Sequence, residues 1–260
     1  MHDMNGMKRF SIWGILLQFC LFYFACGKKY EQLEPGSTKL VRVQIITDNG
    51  QPQTVNCLYS IPDNYTTDKS WPLLVALHGD GSNAAAFHDL WQNAATQAGF
   101  ILLTPQGERQ GDSHLSWFWG KNAKHAIQGC IDMMQEIAPI DEKRISFVGF
   151  SRGGMVTYEI ALQAPHILHS FAALGAPFRD VWLNESTKRA KAMGAFKSLR
   201  IYIGHGDLEE NLDRDARHAA NVFRGLGAQV HFNIYENTGH ALPEPMEVEV
   251  EKIVKFLIAN

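Results

Sequence analysis

A serine held between glycines, Gly149-Phe150-Ser151-Arg152-Gly153, sits where a strand-type run, Arg144-Ile145-Ser146-Phe147-Val148, passes into a helix-type run. Strand, sharp turn and helix in that order lift a hydroxyl clear of a sheet edge. A turn this tight leaves no room for side chains at the flanking positions, which is why glycine stands on both sides. Ser151 then opens a helix, where free backbone N–H groups and the positive end of the helix dipole favour negative charge. Such an arrangement suits attack on an ester or amide carbonyl, provided that a base, an acid and a second N–H donor lie elsewhere in the chain.

The chain has 260 residues, a length that suits one sizeable α/β domain. A net charge of −3 with scattered Lys and Arg gives no basic stripe for neutralising phosphates, so nucleic acid is excluded as a main partner. The N-terminus differs in kind. Lys8-Arg9 precede an apolar stretch over 10–25 that ends in Ala25-Cys26-Gly27. It is short against the roughly 20 apolar residues of a membrane span. A secretory signal over 1–26 is expected, and Cys26 after Ala25 resembles a bacterial lipoprotein processing site with a lipid anchor on that cysteine. Tyr23 and Phe24 depart from the small aliphatics usual there, and an ordinary signal peptide or an uncleaved anchor are the alternatives. The expected location is therefore the periplasm or cell envelope, or the exterior. Cys57 and Cys130 remain, one in a strand and one in a helix, without metal-like spacing. Two buried free thiols are expected of them; a disulfide cannot be deduced from sequence.

Residues 27–39 read as a polar tether and 40–260 as the catalytic domain. Strands are expected over 40–46 and 54–61, joined as a hairpin across Asn49-Gly50 with both residues at positive φ. The run over 71–77 is apolar throughout, as for a strand covered on both faces. Further strands are expected at 100–104, 144–150, 171–174, 200–203 and 230–235. Helices are expected at 82–99 with Ser82-Asn83 as cap, from about 120 to 137, and at 153–164, 211–226 and 248–258. The polar stretch over 178–196 reads as a cap or helical excursion, and the segment between 105 and 120 as a long loop. The sum is an α/β fold, a doubly wound, mostly parallel eight-stranded sheet with an antiparallel N-terminal hairpin. In such sheets reactive groups gather at the carboxyl ends of the strands.

Those ends carry His78-Gly79-Asp80-Gly81, Ser151, Gly204-His205-Gly206-Asp207 and Glu236-Asn237-Thr238-Gly239-His240. With Leu103-Thr104-Pro105-Gln106-Gly107 and Ile140-Asp141-Glu142-Lys143-Arg144-Ile145, they make the chain resemble the α/β-hydrolase superfamily. Within it, the chain is similar to the single-domain carboxylesterase/phospholipase and feruloyl-esterase or polyhydroxybutyrate-depolymerase relatives. The resemblance spans essentially all of 40–258 and keeps the superfamily's chain order of Ser, acid and His. It implies Ser151 as nucleophile, His240 as general base and Asp207 as the acid that fixes the imidazole tautomer. It further implies an oxyanion hole from the backbone N–H groups of Arg152 and Asp80, with Gly79 as second choice, and no metal or organic cofactor.

Each residue has a plainer reading too. Asp207 could cap the following helix, and Glu209, Glu210 and Asp213 lie close enough to take its place. His78 reads as a structural hydrogen-bonder, and His231 as a structural residue within its strand. His166 and His169 stand three apart with no third ligand, so no zinc site is expected. Asp80 replaces a glycine common in such turns, and its carboxylate would oppose the oxyanion unless it faces away. The Arg152 side chain could meet an anionic group or pair with a nearby acid. Trp117 and Trp119 could line a substrate pocket or pack beneath their loop.

The leading expectation is an exported serine esterase acting on short-chain or aromatic esters, either small molecules or groups linked to polysaccharide. A prolyl-oligopeptidase-type peptidase is the nearest alternative, and the chain is short for that class's gating domain. Charge in the excursion over 178–196 speaks against a lipid-docking face and hence against a lipase. A non-catalytic binding module on the same scaffold is the alternative of another class. The sequence is silent on oligomeric state.

Overall fold

The computed structural model describes residues 30–110, 114–117 and 121–259. The signal segment, Cys26 and Trp119 lie outside the described residues. Among the described residues, ten strands and six α-helices follow one another: β1 (Thr38–Ile46), β2 (Pro52–Ser60), β3 (Trp71–Leu77), α1 (Ala84–Gln97), β4 (Ile101–Pro105), β5 (Glu108–Gln110), β6 (His114–Ser116), α2 (Lys121–Ile137), β7 (Ile140–Phe150), α3 (Arg152–Gln163), β8 (Ser170–Leu174), α4 (Glu185–Ala192), β9 (Arg200–Gly206), α5 (His218–Leu226), β10 (Gln229–Tyr235) and α6 (Met246–Ile258). Eight strands form one sheet in the order β1-β2-β4-β3-β7-β8-β9-β10. β1 pairs with β2, and β2 with β4, antiparallel; the remaining neighbours are parallel.

Alternation along the strands divides the core into two. In β3, Leu73, Val75 and Leu77 face one side of the sheet and Leu74 and Ala76 the other, all fully buried. Each face is covered by helices, α1 and α6 on one side and α2, α3 and α5 on the other. This is why β3 reads as an unbroken apolar run. Helix α1 starts where Asn83 accepts a hydrogen bond from Ala86 N–H at 3.0 Å, a cap that typically stabilises by about 1 kcal/mol.

The structure departs from the sequence expectations in places. The N-terminal part of the supposed tether is tied to the domain: Glu31 N–H donates to Ile137 O, Leu33 is buried in the core, and β1 begins at Thr38. At the hairpin only Gly50 has positive φ, +75°, because the connection runs over 47–51 and is longer than a two-residue turn. The long loop after β4 contains a small antiparallel pair, β5 and β6, too short to carry a periodic pattern. A π-helical turn over Asp213–Arg217 precedes α5. The excursion over 178–196 holds a 3₁₀ turn and α4, capped by Asn184. Cys57 and Cys130 are free and buried, and burial together with the neighbouring Cys130 thiol pushes the Cys57 thiol up.

From β3 the chain steps first to β4 on one side and later to β7 on the other. The crevice outside the carboxyl ends of β3 and β7 is therefore the topological switch point, where ligands bind in open sheets of this kind.

Candidate active site

The turn after β7 holds Ser151 at φ 52°, ψ −115°, a conformation that residues other than glycine rarely adopt. The fold over-determines it. Ser151 N–H donates to Leu174 O at 2.8 Å, and Ser151 O accepts from Met155 N–H at 3.0 Å. A Cβ on Gly149 would stand 2.4 Å from the Gly153 carbonyl, and one on Gly153 only 2.0 Å from Leu77 O. The elbow therefore closes by backbone against backbone, with β3 as its floor.

His240 reaches the serine from the loop after β10. Ser151 Oγ–H donates to His240 Nε2 at 2.9 Å, and His240 Nδ1–H donates to Glu209 Oε2 at 2.7 Å. Phe150 packs on the imidazole with ring centroids 4.9 Å apart. The hydrogen bond to Glu209 raises the His240 pKa above its ordinary value; burial opposes this and the carboxylate charge adds to it. Burial works to raise Glu209, but the hydrogen bond from His240 and the nearby imidazoles outweigh it and hold the carboxyl below its usual range.

The acid at the imidazole is therefore not the expected one. Asp207 follows β9 directly, and its N–H still donates to Tyr235 O as a continuation of the strand ladder. That fixes its side chain over the histidine loop, where Asp207 Oδ1 accepts from Thr238 N–H at 3.2 Å. Two residues further the chain has turned back toward the cleft, and a glutamate there reaches His240. His205, buried at the end of β9, lies with Nε2 3.5 Å from Glu209 Oε2; burial lowers its pKa, and the Glu209 charge opposes that. The resemblance implies Asp207 by chain order; in the structure its carboxylate is turned to Thr238 N–H, and Glu209 is the acid within hydrogen-bond distance of His240.

The turn after β3 is held from beneath. Gly107 N–H and the Gln106 amide both donate to His78 Nε2 at 3.0 Å, so the proton sits on Nδ1, which donates to Gly79 O at 2.8 Å. Burial lowers the His78 pKa and keeps the ring neutral. Trp117 Nε1–H donates to His78 O at 2.8 Å, and the indole is buried. Among the described residues Trp117 is therefore a buried support beneath this turn. A Cβ on Gly79 would lie 3.3 Å from Ser151 Cβ, which places this turn directly against the elbow. Asp80 and Arg152 meet across the gap: Arg152 Nε donates to Asp80 Oδ2 at 3.1 Å and Arg152 Nη2 lies 3.1 Å from the same oxygen. His231 stacks on Tyr202 with centroids 4.8 Å apart, a structural position.

A phospholipase/carboxylesterase family model matches residues 120–260, more than half of the chain. The chain belongs to that family. A bifunctional acetylxylan esterase/xylanase of Neocallimastix patriciarum is 32% identical over 109 residues, covering 41% of this chain and 16% of that protein. A dipeptidyl peptidase family member of Caenorhabditis elegans is 24% identical over 230 residues, covering 76% of this chain and 29% of that protein. This carboxylesterase-family chain thus spans less than a third of the length of either curated relative. Among solved structures, a ferulic acid esterase superposes with a TM-score of 0.65 at 15% identity, over 85% of this chain and 98% of the other. That likeness establishes the α/β-hydrolase fold for the domain.

Proposed function

We propose that the protein is an exported serine esterase that cleaves carboxylic esters through an acyl-enzyme. The reading is carried by the relay from Ser151 through His240 to Glu209, with hydrogen bonds of 2.9 and 2.7 Å, on a serine held at positive φ. Ser151 Oγ attacks the carbonyl carbon as its proton passes to His240 Nε2. Glu209 holds the imidazole in the tautomer that can accept it and offsets the positive charge that results. The backbone N–H groups of Arg152, first residue of α3, and of Asp80 receive the oxyanion; such a donor is worth roughly 3–4 kcal/mol at the transition state. His240 then protonates the departing alcohol, and the same steps with water release the acid.

Short-chain or aromatic acyl groups, free or linked to polysaccharide, are the proposed substrates, in line with the acetylxylan esterase relative and the ferulic acid esterase fold. Export rests on the basic and then apolar stretch at the N-terminus, with Cys26 as the lipid-anchor candidate. The match to a dipeptidyl peptidase favours one second reading, cleavage of peptide bonds by the same relay. A fluorophosphonate probe tests the chemistry: it is expected to label the folded protein and to leave Ser151→Ala unlabelled. Labelling of both, or of neither, would remove the nucleophile assignment. Turnover of dipeptidyl arylamides above that of acetyl or feruloyl esters would favour the peptidase.

A further inference from the structure

The two residues assigned to the oxyanion hole through their backbone also face each other through their side chains. Asp80 brings a carboxylate to a turn that lies against Ser151, and a carboxylate near a developing oxyanion opposes it. Two guanidinium nitrogens of Arg152 converge on one oxygen of that carboxylate, each at 3.1 Å. The pair joins positions 72 residues apart in sequence, the loop after β3 and the first residue of α3. Its direction matters, because the guanidinium belongs to the residue that follows the nucleophile and so reaches Asp80 from the elbow side.

We propose that Arg152 is a positioning residue that masks the Asp80 carboxylate and holds it off the oxyanion, so that ester hydrolysis depends on this pair. The proposal rests on the serine-esterase reading of the same site. It concerns charge at the transition state, and so predicts an effect on kcat more than on KM for an uncharged substrate.

Steady-state hydrolysis of a neutral short-chain aryl ester by Arg152→Met, Arg152→Lys, Asp80→Asn/Arg152→Met and Ser151→Ala tests it. Arg152→Met is expected to lower kcat on the order of tenfold, the scale for one unmasked charge several ångströms from a partly solvated oxyanion, with KM changed far less. Arg152→Lys should keep most of the rate. Adding Asp80→Asn to Arg152→Met should restore kcat to within about threefold of the wild type, since the charge needing a mask is gone. A double variant as slow as Arg152→Met would mean that the pair is only a structural tie and would overturn the proposal. So would an Arg152→Met enzyme at the wild-type rate, and in that case a silent Ser151→Ala leaves the esterase reading standing. Turnover by Ser151→Ala would remove both.

Discussion

At the scale of single residues, the acid in the relay shows how reach decides between neighbours. Asp207 and Glu209 stand two positions apart in one loop, yet only Glu209 touches His240, while Asp207 ties Thr238 N–H into the histidine loop. Glu209→Gln should therefore lower kcat on the order of ten-thousandfold, as losing the tautomer-setting acid does in another triad, whereas Asp207→Asn keeps an amide oxygen to accept from Thr238 N–H, removes only a charge, and should cost less than about tenfold. Hydrolysis rates of the two variants decide the assignment. The pH profile gives a second check. His240 must be neutral to accept the Ser151 proton, so kcat/KM should rise with pH through its pKa. The hydrogen bond to Glu209 lifts that pKa, so the acid limb should lie above the ordinary imidazole range and shift to lower pH in Glu209→Gln. A limb that shifts upward would contradict the relay. Ser151, His240 and the group of nearby acids were legible in the sequence as residue types at strand ends. The choice among the acids was not, because it depends on how the loop after β9 lies against the histidine loop after β10.

At the scale of elements, the strand–turn–helix unit works because three backbones pack without side chains between them. The glycines flanking Ser151 were expected from the sharpness of the turn alone. The structure adds that Gly153 is pressed on Leu77 O of another strand, a long-range approach with no local signature. Gly153→Ala should force α3 off β3 and cost at least about 3 kcal/mol, visible as a fall in thermal midpoint of roughly 6–12 °C; a midpoint within a degree of the wild type would show that the elbow relaxes freely. The loop after β4 makes the opposite case. Its tryptophan looked equally suited to a pocket or to packing; in the structure Trp117 is buried and its indole N–H donates to the His78 carbonyl of a turn remote in sequence.

At the scale of the whole molecule, sheet order places β3 and β7 side by side at the switch point, so loops 72 residues apart share one crevice. A panel of esters graded in acyl length and aromaticity tests the proposed substrate class. Acetyl and aromatic acyl esters should turn over at least about tenfold faster than emulsified long-chain triglycerides, the scale on which a pocket discriminates by one or two apolar groups. Equal or better rates on insoluble fats would overturn it. The amino-acid order alone determined which segments become strands and helices, since burial on one or two faces writes a period into a strand and capping and glycine mark where it stops. It also determined which hydroxyl sits on the elbow. Only the folded chain decided which carboxylate meets His240, where Trp117 points and that Arg152 covers Asp80. Those outcomes depend on distances between segments remote in sequence, and no local pattern records them.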